Sequence, residues 1–246
     1  MVSRTLVLPA AGAGTRFGGS VPKSLALVEG SPMITRVIAA VQRDIRDIGV
    51  VIVTQSDHEQ LFRSRLRETA RSLEIVVDDT LGGSAGAVHR ALSSVATEEI
   101  IIAWPDHVGI EFLPLGLFRE QIPMGHAGFM PVVERSNPYA AVDVSDRGDV
   151  INFVSPETVR SRRMVQALSD CGSFVLNASS CRRFIENDVG RGSRDHNLVS
   201  VLGRQRGTDA IAAFVVGDWR SSLGVNSHGD LEVFHRARQL GGERSD

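Results

Sequence analysis

The chain has 246 residues, 42% of them hydrophobic, enough for one sizeable core or at most two small ones. Charged residues make up 23% and the formal net charge is -2; a surface that grips nucleic acid shows a basic excess, so nucleic acid is not expected as a partner. No apolar run is long enough to span a bilayer, so no membrane is expected either. The two cysteines, Cys171 and Cys181, fit no metal-ligand spacing and make no disulfide framework; they read as reduced thiols in a cytoplasmic protein.

Residues 4–10 read as a buried strand. Arg4 and the mainly apolar residues after it also faintly resemble a secretion signal, but motif residues continue past the would-be cleavage point, which favours the strand. Residues 32–47 carry helical apolar spacing through Met33, Ile34, Val37, Ile38, Val41 and Ile45. Residues 50–54 form a strand, Asp57 looks like the cap of a helix running to about Ala70, and 74–77 are a strand. Residues 85–94 are helical, and 100–104 are a strand ending at Pro105-Asp106. This βαβαβαβ order predicts a parallel sheet with helices on both faces, whose doubly buried strands are apolar throughout rather than alternating. The second half differs. Strand-like stretches 128–133, 140–144 and 150–154, parted by turn signals, suggest antiparallel strands or a hairpin flanking the sheet. Residues 171–176 and 210–216 are further strand candidates, and 230–240 a closing helix. The run Arg160–Arg163 reads as a solvated face. With no repeat, low-complexity tract or linker, residues 1–246 are expected to form one domain.

The first strand runs into Leu8-Pro9-Ala10-Ala11-Gly12-Ala13-Gly14-Thr15-Arg16-Phe17-Gly18-Gly19, then Pro22-Lys23. A glycine turn leaving a strand lets backbone N–H groups approach phosphates closely, and Arg16 and Lys23 add positive charge suited to a triphosphate. A dinucleotide-binding turn fits poorly, because Phe17 takes the third glycine position and Pro22 and Pro32 break the helix that should follow. A Walker loop needs Gly-Lys-Ser/Thr, which is absent. A mere tight turn stays open, although it does not explain Thr-Arg and Pro-Lys at this spacing.

The segment, continued by Gly30-Ser31-Pro32-Met33-Ile34, closely resembles the signature of the sugar nucleotidyltransferases. The resemblance implies a Rossmann-like three-layer α/β/α fold of the nucleotide-diphospho-sugar transferase type, with a mostly parallel mixed central sheet. It places Leu8, Ala10, Ala11, Gly12, Gly14 and Thr15 at the nucleotide, and Arg16 and Lys23 at the phosphates and departing pyrophosphate. The stretch from Asp78 to Val88 resembles the family's second nucleotide-binding turn, implicating Asp78, Gly83 and Ser84; small residues opening a helix can reach base and ribose through their backbone. Asp106 matches the family's strand-end aspartate, a magnesium ligand, and Gly224-Val225-Asn226 matches the element whose Asn or Asp completes the metal site. These elements span residues 6–235, and the implied cofactor is Mg2+.

The acceptor pocket departs from the hexose-binding pattern. Tyr139-Ala140 replaces Tyr/Phe-Gly, Ser155-Pro156 stands where a glutamate is usual, and Asp170-Cys171-Gly172 replaces Asn-x-Gly. Tyr139, Asp170 and Gly172 are therefore the candidate acceptor contacts, for an unusual sugar phosphate or a non-sugar phosphate. Asp78 lies near the base-reading position of uridine-specific relatives, and a carboxylate only accepts hydrogen bonds, so base preference is open. Scattered histidines read as ordinary, with His107, beside Asp106, worth testing. The expected reaction transfers a nucleoside monophosphate from a nucleoside triphosphate to a small phosphorylated acceptor. The rivals are a glycosyltransferase, which usually needs an Asp-x-Asp motif lacking at Pro105-Asp106-His107, and a non-catalytic nucleotide sensor. A homo-oligomer stays open.

Overall fold

The computed structural model describes residues 4–12, 21–70, 72–80, 82–190 and 197–242. Strand β1 (Arg4–Pro9) is followed by a small hairpin, β2 (Leu27–Val28) and β3 (Ser31–Pro32), and then by helix α1 (Met33–Asp44). Strands β4 (Gly49–Thr54), β5 (Leu73–Val77) and β6 (Glu99–Ala103) alternate with α2 (Glu59–Leu66) and α3 (Gly83–Ala91). The second half supplies β7 (Gly128–Ser136), β8 (Ala141–Val144), β9 (Val150–Val154), α4 (Pro156–Arg162), β10 (Gln166–Asp170), β11 (Ser173–Asn177) and α5 (Ala178–Gly190). It ends with α6 (Leu198–Leu202), β12 (Ile211–Val216) and α7 (His228–Gly242).

The main sheet runs β5-β4-β1-β6-β11-β7, with β10 and β12 both pairing β7. β1, β4, β5 and β6 are mutually parallel, β11 is antiparallel to β6, and β12 is parallel to β7. β10 and β11 pair successive stretches of β7 in the same sense, and Cys171 N–H still donates to Pro131 O between them. They are two halves of one strand broken at Cys171-Gly172, next to the site.

Both faces of the sheet are covered, and the strands show it residue by residue. Leu6, Leu8, Val50, Ile52, Ile101 and Ala103 face a core shared with α1 and α2. Their neighbours Val7, Val51, Val53, Ile100 and Ile102 face a second core shared with α3, α5 and α6. This produces the continuous apolar runs and the three layers. A smaller core joins Val28, Met33, Val108, Val225 and Phe234, and seats α7.

β8 and β9 form an antiparallel two-stranded sheet of their own, the hairpin expected for this stretch. Other elements differ from the sequence reading. Asp57 sits in a 3-10 turn, and α2 stops at Leu66, because only Phe62 and Leu66 bury a face there. β10, α4, α5 and α6 were not foreseen.

Candidate active site

The carboxyl ends of β1 and β6 open onto a cavity of about 850 Å3, where ligands gather in open α/β sheets. From β1 come Pro9, Ala10 and Gly12; from the end of β6 come Trp104, Pro105, Asp106 and His107. Ala10 is pinned as its N–H donates to Val53 O at 2.7 Å. Gly12 is exposed, with open space where a Cβ would stand, so its backbone is free to meet a ligand.

Lys23 is the first residue of a 3-10 turn entered through Pro22, whose carbonyl accepts from Leu25 N–H at 2.9 Å. The turn aims the lysine across the cavity. Nζ ion-pairs with Asp106 Oδ2 and donates to Asn226 Oδ1 at 2.7 Å. The Lys23 side chain is 15% exposed and that of Asp106 24%, so the pair is shielded yet open to a ligand. Asn226 is held by its own backbone: its N–H donates to Asp230 Oδ2 at 2.8 Å, while Ser227 Oγ accepts from Asp230 N–H at 3.3 Å. Asp230 thus sits in the first turn of α7 and reaches back over its start.

Two oxygens, one carboxylate and one amide, converge on a single cationic point now held by the ammonium. That donor set suits a hard divalent cation which keeps waters and substrate oxygens as its other ligands. No group of three His, Cys, Asp or Glu side chains able to hold a metal occurs among the described residues. Any cation here would therefore draw on Asp106, Asn226 and the substrate.

His107 is the wedge behind these two side chains. Its ring lies where a side chain on Gly172 would have to go, and a Cβ on Gly224 would come within 2.7 Å of Nε2. Gly172 has φ +67°, a left-handed conformation. His107 Nδ1 is buried with no hydrogen-bond partner among the described residues. The segment after β6 is tied down on both sides. Trp104 N–H donates to Gly172 O at 2.8 Å, Gly109 N–H to Leu223 O at 2.9 Å, and Val225 N–H to Asp106 O at 2.9 Å.

The far half of the cavity is lined by Arg135, Tyr139, Phe153, Ser169, Asp170 and Asn197. Tyr139 is 65% exposed. Asp170 lines the cavity; its Oδ1 accepts from Gly172 N–H at 2.9 Å, and its Oδ2 has no hydrogen bond to the described residues. Burial lowers the pKa of Arg135 below the ordinary arginine value, with nearby Cys171 acting the other way. Burial also pushes both thiols, Cys171 and Cys181, up to about 12, so neither is a nucleophile.

Of the residues singled out from sequence, Ala10, Gly12, Lys23, Ser84, Asp106, Tyr139, Asp170 and Asn226 line this one cavity. Gly14, Thr15 and Arg16 lie outside the described residues. The Leu8 side chain is wholly buried in the core, and Ala11 stands beside the lining rather than in it. Asp78 is buried and spends its Oδ1 on Thr80 N–H (3.0 Å) and Oγ1 (2.6 Å), closing a turn instead of facing the cavity. Gly83 opens α3 with φ +68° without lining the cavity. Gly172 packs on His107, a structural rather than an acceptor position. Sequence reasoning missed Arg135, Ser169 and Asn197; a lone arginine at a strand end carries no motif.

The mixed, mostly parallel sheet and the lysine-aspartate pair beyond its strand ends fit the nucleotidyltransferase class of α/β proteins. Residues 6–187 match the model of the MobA-like NTP transferase domain, and the chain belongs to that family. It is 25% identical over 240 residues to the bifunctional protein GlmU of Acidiphilium cryptum, an alignment covering 96% of this chain and 53% of that protein. The chain spans about half the length of the curated relatives it matches. Among solved structures, it is similar to the inositol-1-phosphate CTP transferase from T. maritima (TM-score 0.70, 15% identity, 100% of this chain and 98% of the other). It is also similar to a nucleoside-diphosphate-sugar pyrophosphorylase from Vibrio cholerae RC9 (TM-score 0.72, 13% identity, 94% and 100%). At such identities these two establish the shared fold, which is the three-layer architecture expected from the motifs. No described helix is long and apolar enough to cross a membrane.

Proposed function

We propose that residues 1–246 act as a single cytoplasmic domain that transfers a nucleoside monophosphate from a nucleoside triphosphate to a small phosphorylated acceptor, with Mg2+, releasing pyrophosphate. The observation that carries this is the meeting of Lys23, Asp106 and Asn226 in one cavity with Ala10 and Gly12. An oxygen of the acceptor phosphate attacks the α-phosphorus of the triphosphate; a new P–O bond forms, and the bond to the β-phosphate oxygen breaks with its electron pair on pyrophosphate. The acceptor phosphate is already ionised, so no protein base is required, and the inert thiols fit a mechanism without a covalent intermediate.

The chain's own groups orient the reactants and neutralise charge. Lys23 delivers an ammonium to the phosphates, and the backbone at Ala10 and Gly12 accommodates the nucleotide. By family resemblance, Gly14, Thr15 and Arg16 hold the triphosphate tail. Ser84 marks the base and ribose side; its hydroxyl accepts from Leu198 N–H at 3.0 Å. Asp106 and Asn226 are the residues that would hold Mg2+, which when bound supplies charge neutralisation to the phosphate oxygens. The proteins of similar fold, an inositol-1-phosphate CTP transferase and a nucleoside-diphosphate-sugar pyrophosphorylase, are in keeping with this chemistry.

The test is a pyrophosphate-release screen crossing the nucleoside triphosphates with sugar and non-sugar phosphates, with and without Mg2+. Metal-dependent release with at least one pair is expected. Tight triphosphate binding with no release for any acceptor would favour a nucleotide sensor, and consumption of a nucleotide sugar would favour a glycosyltransferase.

A further inference from the structure

The half of the cavity that departs from the hexose pattern holds a charge left without a counterion by the described residues. Arg135 lies near the end of β7, opposite Ala167 of β10. Its Cζ stands 5.1 Å from the centre of the Trp219 ring. Nη1 donates to Trp219 O at 3.3 Å and to Ser222 Oγ at 3.2 Å. Nε and Nη2 have no hydrogen-bond partner among the described residues, and no described carboxylate pairs with the group. Other well-covered arginines are treated differently: Arg4 pairs with Glu99, Arg36 with Glu29 and Glu111, and Arg220 with Asp218. A guanidinium is always charged, and partial burial without a counter-charge is costly. Trp219 and Ser222 fix the plane of the group and leave the edge formed by Nε and Nη2, the fork that matches a carboxylate or phosphate in bidentate fashion.

The position of this fork matters as much as its chemistry. β7 is separated from β6 by β11, so Arg135 is rooted about 10 Å to the side of the strand that carries Asp106. The attacking phosphate belongs beside Lys23, Asp106 and Asn226. The fork therefore addresses the other end of the acceptor. Of the nearby groups that could read sugar hydroxyls, Ser169 Oγ already donates to Ala140 O at 2.8 Å, and Asp170, with Oδ1 serving Gly172, keeps only Oδ2.

We infer that Arg135 binds a second anionic group on the acceptor, remote from the attacking phosphate, so that the preferred acceptor is a phosphorylated acid or a bisphosphate rather than a neutral sugar monophosphate. This rests on the nucleotidyltransferase reading above. The test measures kcat/KM for pyrophosphate release with matched acceptors that share one attacking phosphate. Glucose 1-phosphate is set against glucuronate 1-phosphate and glucose 1,6-bisphosphate, and glycerol 3-phosphate against 3-phosphoglycerate. The protein prefers a doubly anionic member of a pair by about 10- to 100-fold, the range of a charged bidentate contact. Whether the preference goes to the carboxylate or the bisphosphate identifies the group. In Arg135→Gln the preference falls to within about threefold while KM for the triphosphate is retained, and Arg135→Lys, charged but without the fork, is intermediate; melting curves confirm that both are folded. Turnover with no preference in the unaltered protein, or an undiminished preference in Arg135→Gln, overturns the assignment and leaves the transferase standing. Absence of release with every acceptor while triphosphate binds overturns the transferase reading and this one with it.

Discussion

Replacing Lys23 by Met removes the ammonium but keeps the apolar stem. In the structure it strips Asp106 Oδ2 and Asn226 Oδ1 of their shared donor. Exposed pairs contribute about 0–1 kcal/mol, and breaking a fully buried one costs about 3–5 kcal/mol. With side chains 15% and 24% exposed, this pair lies between, nearer the lower range, at about 1–2 kcal/mol. For a chain of this size that is a fall in Tm of roughly 2–8 °C. The effect on turnover is far larger, because a charged donor at the reacting phosphates acts on charge that moves in the transition state. The loss of kcat is about 100- to 1,000-fold, or roughly 3–4 kcal/mol. Pyrophosphate release at saturating triphosphate measures it, with a thermal melt of the same sample as control. Lys23→Arg keeps the charge but cannot seat its planar head between the same two oxygens, so it recovers only part of the rate. A folded Lys23→Met protein with kcat within about threefold of the parent would refute the role.

Asp106→Asn should lower kcat by at least about 100-fold and abolish binding of Mn2+ as a paramagnetic probe without substrate; exhaustive EDTA treatment should silence the parent until Mg2+ is returned. Gly172→Ala combines a left-handed φ of +67° with a collision against the His107 ring, and should cost about 2–4 kcal/mol in urea unfolding. Adding His107→Ala should restore part of that loss, and a cost that does not change would show that the wedge plays no part. The buried thiols give a pH signature: raised to about 12 when folded, against 9.0 ordinarily, they favour the native state fully below about pH 9 and lose that contribution as pH rises toward 12. Each should steepen the alkaline decline in stability by about 1.4 kcal/mol per pH unit. Urea midpoints at pH 8 and 10.5 should therefore fall less in Cys181→Ala than in the parent; parallel declines would contradict this.

The parts of the fold read from sequence are those in which one local pattern has one structural outcome. The spacing of Met33, Ile34, Val37, Ile38 and Val41 admits only a helix with one buried face, and α1 follows it. It ends at Asp44, short of the apolar pattern, where Ile45 turns extended and the Asp44 carboxylate accepts from Gly116 and Phe118 N–H groups, 72 and 74 residues away. β10, reading Gln-Ala-Leu-Ser-Asp, has no strong alternation and is a strand because β7 lies beside it. The site divides similarly. The half around Lys23 is marked by prolines and glycines at short intervals along the chain, so spacing alone reports it. Arg135 acquires meaning only through Trp219 and Ser222, 84 and 87 residues later. Asp78 shows the converse: a recognisable motif places it at the nucleotide, whereas in the fold its Oδ1 is taken by the backbone and hydroxyl of Thr80, two residues on.

The convergence of Lys23, Asp106 and Asn226 is not a property of the glycine turn alone. Asn226 lies 203 residues beyond Lys23 and outside the residues 6–187 that match the family model. It reaches the cavity because the segment before α7 is stitched to the segment after β6 by Gly109–Leu223 and Val225–Asp106 backbone bonds, and because Phe234 and Val225 share a core with Met33 and Val108. The same Asp106 turn is stitched on its other side to Gly172, at the break in the β10–β11 strand. His107 fills the gap between the two stitches, and both glycines facing it lack the Cβ that would push it out. The spacing between the carboxylate and the amide is therefore set by backbone contacts and one rigid ring, rather than by flexible side chains. Such a frame holds two oxygens converged on one point before any phosphate arrives, which is what electrostatic preorganisation requires.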